Sequence, residues 1–329
     1  MNPQFLAAFW SSWQCGGERK DMEQPLALAP GSSDRESSLS EKSTDGAWRD
    51  YVNVVKPGIT VSNMLTTFTG LWLAAHGHPD IALAGVTLVG GSLVVMSGCA
   101  LNNYMDRDID QLMPRTQDRP LPKDRIPAWK VMTLGIALGV VGISLLGLFA
   151  TILSAWMALI GLFFYVIVYT GLTKRTTTLS TVIGGVSGAM PPLIGWTAVT
   201  GSLNITGLLL FVFMFLWQPP HFLALAMRRV KDYAAAGIPL LPVVYGFAFT
   251  KRQIAVWTAA LVPSSLLLYG VHAEGIIYLL SAVVLGGIWL YKAVRGFKVK
   301  DEVAWATDMF RFSLIYLTGL SIAMIVSVR

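Results

Sequence analysis

The chain has 329 residues, of which 54% are hydrophobic and only 13% charged, and its net charge is +6. Soluble domains carry about 25% charged residues, so a soluble globular enzyme is excluded. A nucleic-acid binder is excluded too, because no polar domain is present to carry a basic face. Two cysteines, Cys15 near the N-terminus and Cys99 in an apolar run, point to neither a disulfide framework nor a zinc site.

Residues 1–50 are rich in Ser, Gly and charge, with least periodicity from Ala29 to Gly46. They read as a disordered cytoplasmic tail. Asp21, Glu23, Asp34, Glu36, Glu41 and Asp45 make this segment too acidic for a mitochondrial transit peptide, and no apolar signal-peptide core is found in it. Residues 51–329 form the membrane domain. Asp, Glu, Lys and Arg are all missing from 57–79, 81–105, 131–173, 176–227, 253–273 and 275–291. A bilayer-spanning helix needs roughly 20 apolar residues, so these runs predict nine spans, at 59–76, 81–103, 131–149, 153–172, 178–199, 206–227, 254–272, 276–291 and 309–328.

The connections alternate in charge. Of the 25 Lys and Arg residues, 24 lie in the N-terminal tail and in loops 104–130, 173–177, 228–253 and 292–311; Arg329 is the exception. The positive-inside rule places all five segments in the cytoplasm and the C-terminus outside, in a bacterial plasma membrane.

These loops also hold the polar chemistry. Asn102, Asp106 and Asp110 are spaced i, i+4, i+8, one face of a helix leaving the second span, with Asp108 pointing elsewhere. Such oxygen ligands suit a hard cation such as Mg2+; a solvated helix end with Asp106 and Asp110 paired to Arg107 and Arg115 is the plainer alternative. Arg115 and Arg119 follow, in a loop stiffened by Pro120 and Pro122. Guanidinium forks match phosphate oxygens, so acids for a metal followed by arginines fit a metal–diphosphate site. Lys174-Arg175 is either membrane anchoring or part of that site. Arg228, Arg229, Lys231 and Asp232 make another polar cluster at the exit of the sixth span.

The two large loops resemble each other weakly and lie four spans apart. A duplicated four-helix unit with its site at the repeat interface is the architecture this implies, spans 1–4 and 5–8 with span 9 added. Within the spans, His221 in Trp217-Gln218-Pro219-Pro220-His221-Phe222 is the ionisable exception. It is either a bundle-packing histidine or a contact for a polar substrate. Pro191-Pro192 and Pro219-Pro220 mark helix irregularities facing protein or a cavity. Gly184, Gly185, Gly188 and Gly195 point to close helix packing.

Together, Asn102-x-x-x-Asp106-x-x-x-Asp110, Arg115-Thr116-x-x-Arg119-Pro120-Leu121 and Tyr169-x-x-x-x-Lys174-Arg175 resemble the signatures of UbiA-type intramembrane prenyltransferases. Asn102-Asn103-Tyr104-x-Asp106-Arg107-Asp108, Trp217-Gln218-x-Pro220-His221-Phe222 and Lys231-Asp232-Tyr233-x-x-Ala236-Gly237-Ile238-Pro239 are similar to the haem O synthase branch of that family, the protohaem IX farnesyltransferases. The resemblance covers about 50–329. It implies an all-α, polytopic membrane fold: nine transmembrane helices in two four-helix bundles plus one, around a central cavity.

The implied reaction is transfer of farnesyl from farnesyl diphosphate to a vinyl group of protohaem IX, with water addition, giving haem O and diphosphate. Mg2+ is the implied cofactor, with Asn102, Asp106, Asp110 and Asp232 as its ligands. Arg115, Arg119, Lys174 and Lys231 are the implied leaving-group cations, and His221, Arg228, Arg107 and Tyr169 the substrate-binding residues. Haem A synthase is a candidate partner. Many relatives of this kind carry a second motif, Asp-x-x-x-Asp, in the later loop, where this chain has Arg228-x-x-x-Asp232, which puts a symmetric two-metal arrangement in doubt. A quinone precursor, chlorophyllide or lipid as acceptor is the nearest competing reading. A transporter would keep charges near the bilayer midplane, and here they cluster in the loops.

Overall fold

The computed structural model describes residues 48–329; most of the expected tail, and Cys15, lie outside them. Among the described residues the chain is almost entirely helical, and its one β feature is an isolated antiparallel bridge between Glu274 and Val328. The nine spans are Pro57–Ala74, Ile81–Met105, Ala128–Phe149, Ile152–Thr173, Ser180–Thr200, Ile205–Arg228, Gly246–Gly270, Ile276–Arg295 and Glu302–Ser327. All but the first are long and apolar enough by composition to cross a membrane. The first span is diluted by Thr60, Ser62, Asn63, Thr66, Thr67 and Thr69. Several of these face a central cavity instead of lipid.

Consecutive spans pack on one another through the two four-helix sets, and the first span also lies against the second half of the fifth. The ninth closes the ring by packing on the eighth, the sixth and the first. Burial follows this order. The best apolar windows of the fifth, sixth and ninth spans are 61% buried, and those of the third and eighth only 28%, so the former build the interior and the latter face the bilayer. Ile136, Val140 and Leu148 on the third span, with Leu280, Val283 and Val284 on the eighth, are exposed accordingly.

Two irregularities bear on the site. The fourth span turns from α to π winding over Phe164–Thr173, with Thr170 Oγ1 donating to Tyr165 O (2.8 Å) and Lys174 N to Tyr169 O (2.8 Å). Single π turns cluster at functional sites because they re-aim side chains. The fifth span breaks at Ala189 into Ser180–Gly188 and Met190–Thr200, with Pro191 at the start of the second half, where its missing N–H costs nothing. Pro219-Pro220, by contrast, sit inside one continuous helix. There Gln218 Nε2 donates to Gly185 O (2.8 Å) and ties the sixth span to the fifth.

The seventh and ninth spans begin eight and seven residues earlier than the apolar runs predict. Charge ends an apolar run without ending a helix. Lys251 pairs with Glu302 (2.6 Å) and Lys292 with Asp308 (2.6 Å), which ties the charged ends of the last three spans together. At the other end of the domain, residues 48–55 are helical, inside the segment expected to be a tail up to residue 50. Asp50 makes two hydrogen bonds with Arg125 (2.8 and 3.0 Å) and so pins the loop after the second span.

Candidate active site

Asn102 closes the second span, and Asp106 stands at its C-terminal boundary with φ −88° and ψ 0°. The short helix Arg107–Asp110 follows, and Asp110 N donates to Asp106 O (2.8 Å), so the three residues stay on one face. All three are buried, at 5%, 1% and 2% exposure, which excludes the solvated helix end. Asp106 Oδ2 accepts from Lys174 Nζ (2.5 Å) and from Asn102 Nδ2 (2.7 Å). Asp110 Oδ2 accepts from Arg119 (2.7 Å). The partners are therefore Lys174 and Arg119, which lie far along the chain or across the loop, and not Arg107 and Arg115.

Asp108 points away and pairs with Arg175 (2.6 and 2.7 Å), whose guanidinium holds the Asp108 carboxyl down at about 2. Arg107, expected to bind substrate, is exposed; it donates to Tyr104 O and lies over the Tyr104 ring at 4.5 Å. Directly after the helix break at Asp106, its side chain leaves on the outer face. Lys231 is likewise exposed and does not line the cavity. Composition of the loop flagged both residues, and the turn of the short helices directs them outward.

Lys56 went unnoticed in the sequence. It precedes Pro57 with φ 50°, the left-handed region, and its Nζ donates to Asn102 Oδ1 (3.1 Å). Burial, with Arg119 nearby, brings its ammonium down to about 8. A lysine before a membrane span looks like simple anchoring; only the backbone turn at this position aims it inward.

Beneath this polar cap lies a cavity of about 660 Å³, bounded by all the inner spans. Arg115, Tyr169, His221 and Arg228, all expected site residues, line it. Tyr169 stacks on Tyr165 (5.9 Å), and a Cβ on Gly184 would come within 2.8 Å of the Tyr169 ring, so that glycine makes room for it. His221 is buried between Trp217 (4.5 Å) and Phe310 (4.8 Å). Its Nδ1 lies 2.6 Å from Ser313 Oγ, which itself donates to Phe310 O (2.6 Å).

Among the described residues no three His, Cys, Asp or Glu side chains converge on one point. Asp106 and Asp110 face ammonium and guanidinium groups instead. In the cap, Asp106 Oδ1 and Asp232 Oδ2 are buried and have no hydrogen-bond partner among the described residues. An orphaned anionic oxygen is costly when buried, so each acidic motif retains one atom suited to a cation.

A membrane-embedded chamber capped by carboxylates and cations defines an enzyme class acting on an amphiphile with an anionic head. The UbiA prenyltransferase family profile matches residues 63–315, and the chain belongs to that family. It is 51% identical over 287 residues to a protohaem IX farnesyltransferase of Alkalihalophilus pseudofirmus, covering 85% of this chain and 90% of that protein. Among solved structures it is similar to digeranylgeranylglyceryl phosphate synthase, with a TM-score of 0.73 at 20% identity, covering 85% and 98% of the two chains. A UbiA homologue from Archaeoglobus fulgidus bound to GPP and Mg2+ gives a TM-score of 0.60 at 14% identity, with 84% and 99% covered. The fold and family expected from the motifs are both borne out.

Proposed function

We propose that the chain is a protohaem IX farnesyltransferase that makes haem O. The observation that carries this is the joining of two unlike surfaces in one cavity. A cap of buried acids and bases stands at one end, and an aromatic wall with His221 stands beside it. The names of the similar relatives support the same reading.

Asp106 and Asp232 would hold Mg2+ through their orphaned oxygens, with Asn102 and Asp110 beside them. When bound, the ion neutralises diphosphate charge and eases departure of the leaving group. Arg115 at the cavity lining and Lys174 and Arg119 in the cap supply further positive charge to the same group. The farnesyl C1–O bond breaks, and the electron pair leaves with diphosphate. The terminal carbon of a haem vinyl group forms the new bond to C1. Water adds its hydroxyl to the other vinyl carbon and releases a proton. The apolar cavity walls enclose the farnesyl tail and delay water until the carbon–carbon bond exists. His221, lining the cavity between Trp217 and Phe310, contacts the haem or takes up that proton.

The positive-inside rule sets the cap in the cytoplasm and the C-terminus outside, with 51–329 as the catalytic domain. Purified protein in detergent, given protohaem IX, farnesyl diphosphate and Mg2+, should yield a haem heavier by one farnesyl and one water. No such species, from protein that binds farnesyl diphosphate, would overturn the acceptor and leave prenyl transfer to another aromatic substrate.

A further inference from the structure

The basic residues at the charged end fall into two sets. Lys56, Arg119 and Lys174 are hydrogen-bonded to the Asn102–Asp110 motif. Arg228, Arg229 and Arg311 line the cavity from the sixth and ninth spans. Among the described residues, none of these three is ion-paired to a carboxylate. They are close enough for the charges of Arg229 and Arg311 to act on Arg228. Like charges gathered at a partly apolar chamber repel unless an anion shares the space.

The surroundings identify the kind of anion. Arg228 Cζ lies 4.7 Å from the centre of the Phe310 ring. Phe310 packs on His221, and His221 stacks on Trp217. The second basic set therefore borders a continuous wall of flat rings, and Arg311 follows Phe310 directly in the chain. A diphosphate is compact and already has the first set. Flat rings edged by guanidinium forks that hold no carboxylate among the described residues suit a broad planar molecule with carboxylates on its rim.

Resting on the proposed function, we infer that Arg228, Arg229 and Arg311 form a second anion subsite that grips the two carboxylates of the tetrapyrrole acceptor and fixes its orientation against the Trp217–His221–Phe310 wall. This subsite selects acceptors by their acid groups, independently of the donor diphosphate.

The test compares wild type, Arg229→Gln and Arg311→Gln in detergent for binding of protohaem IX, its dimethyl ester and farnesyl diphosphate. Each variant should bind the diacid about tenfold more weakly, the loss expected for one charge-assisted hydrogen bond. Affinity for the diester and for farnesyl diphosphate should match wild type. Unchanged diacid binding overturns the subsite. Equal loss of diacid and diester means a packing role, and loss confined to farnesyl diphosphate assigns the arginines to the donor; either result also overturns it. A wild type that binds diacid and diester equally refutes the subsite alone. A wild type that binds farnesyl diphosphate and no tetrapyrrole refutes the proposed acceptor itself.

Discussion

Asp106 receives hydrogen bonds from Asn102 and Lys174 through one oxygen, while the other is buried with no hydrogen bond among the described residues and has only the Arg175 guanidinium at 4.0 Å. Removing its charge leaves Lys174 facing Asn102 with nothing to neutralise it. Asp106→Asn and Asp110→Asn should lower kcat/KM by about a hundredfold or more, on the scale of losing one preorganised charge-stabilising group. The proteins should still insert and fold, but melt at a lower temperature, because each substitution leaves a largely buried cation without its carboxylate. Near-normal turnover in either variant would remove the carboxylates from the mechanism. His221→Phe keeps the aromatic stack while losing the Ser313 hydrogen bond and the ring nitrogens. We expect it to weaken haem binding and leave farnesyl diphosphate affinity intact; parallel loss of both, read by calorimetry, would mean that His221 only packs.

Among the elements, the crossing of the first and fifth spans is the tightest contact. A Cβ on Gly195 would come within 2.0 Å of Thr67 O, and one on Gly70 within 2.1 Å of Pro192 O. Backbone faces backbone here, so no side chain can swing aside. Gly195→Ala should destabilise by roughly 1–3 kcal/mol and should also lower activity, since Ser62 and Thr66 of the first span line the cavity. Thermal melting in detergent is the check, with Gly287→Ala, where a Cβ meets nothing within 4 Å, as the neutral control. The run of glycines was legible in the sequence as a packing signal. Which helix each glycine meets was not, because the first and fifth spans are over a hundred residues apart. The π segment was equally hidden: its residues carry no feature that separates them from an ordinary apolar helix.

Over the whole molecule, charge is concentrated at one end, and Glu274 lies at the other, with Asp80 and Arg329. Glu274 is fully buried between the seventh and eighth spans, neither carboxylate oxygen has a hydrogen-bond partner among the described residues, and burial pushes its carboxyl up to about 8. The folded state thus holds a proton that the unfolded chain releases near pH 4.5. Between about 4.5 and 8 the folded form binds more protons, so stability falls as pH rises through that window. Glu274→Gln, neutral at every pH, should match wild type near pH 4.5 and exceed it increasingly up to pH 8, by a few kcal/mol at most. A difference in melting temperature that ignores pH would contradict the buried, unpaired carboxyl. The orientation of the molecule is testable with single cysteines at 117 and 203 in a Cys-free background: an impermeant maleimide applied to intact cells should label only the second.

Composition and the spacing of charges determined the membrane class, the number of spans and the end that carries the chemistry, because the cost of burying charge in lipid acts on each segment locally. The Asn102–Asp110 spacing likewise put three side chains on one face before any fold was known, since helix geometry is local. The tertiary structure alone decided the partners. It joined Lys174 to Asp106 and Arg119 to Asp110, turned Arg107 and Lys231 outward, brought Lys56 in, and set His221 between residues of the sixth and ninth spans. Those outcomes depend on which helices meet, and on how short turns aim long flexible side chains. Long-range packing fixes both, and the periodicity of a single segment does not record it.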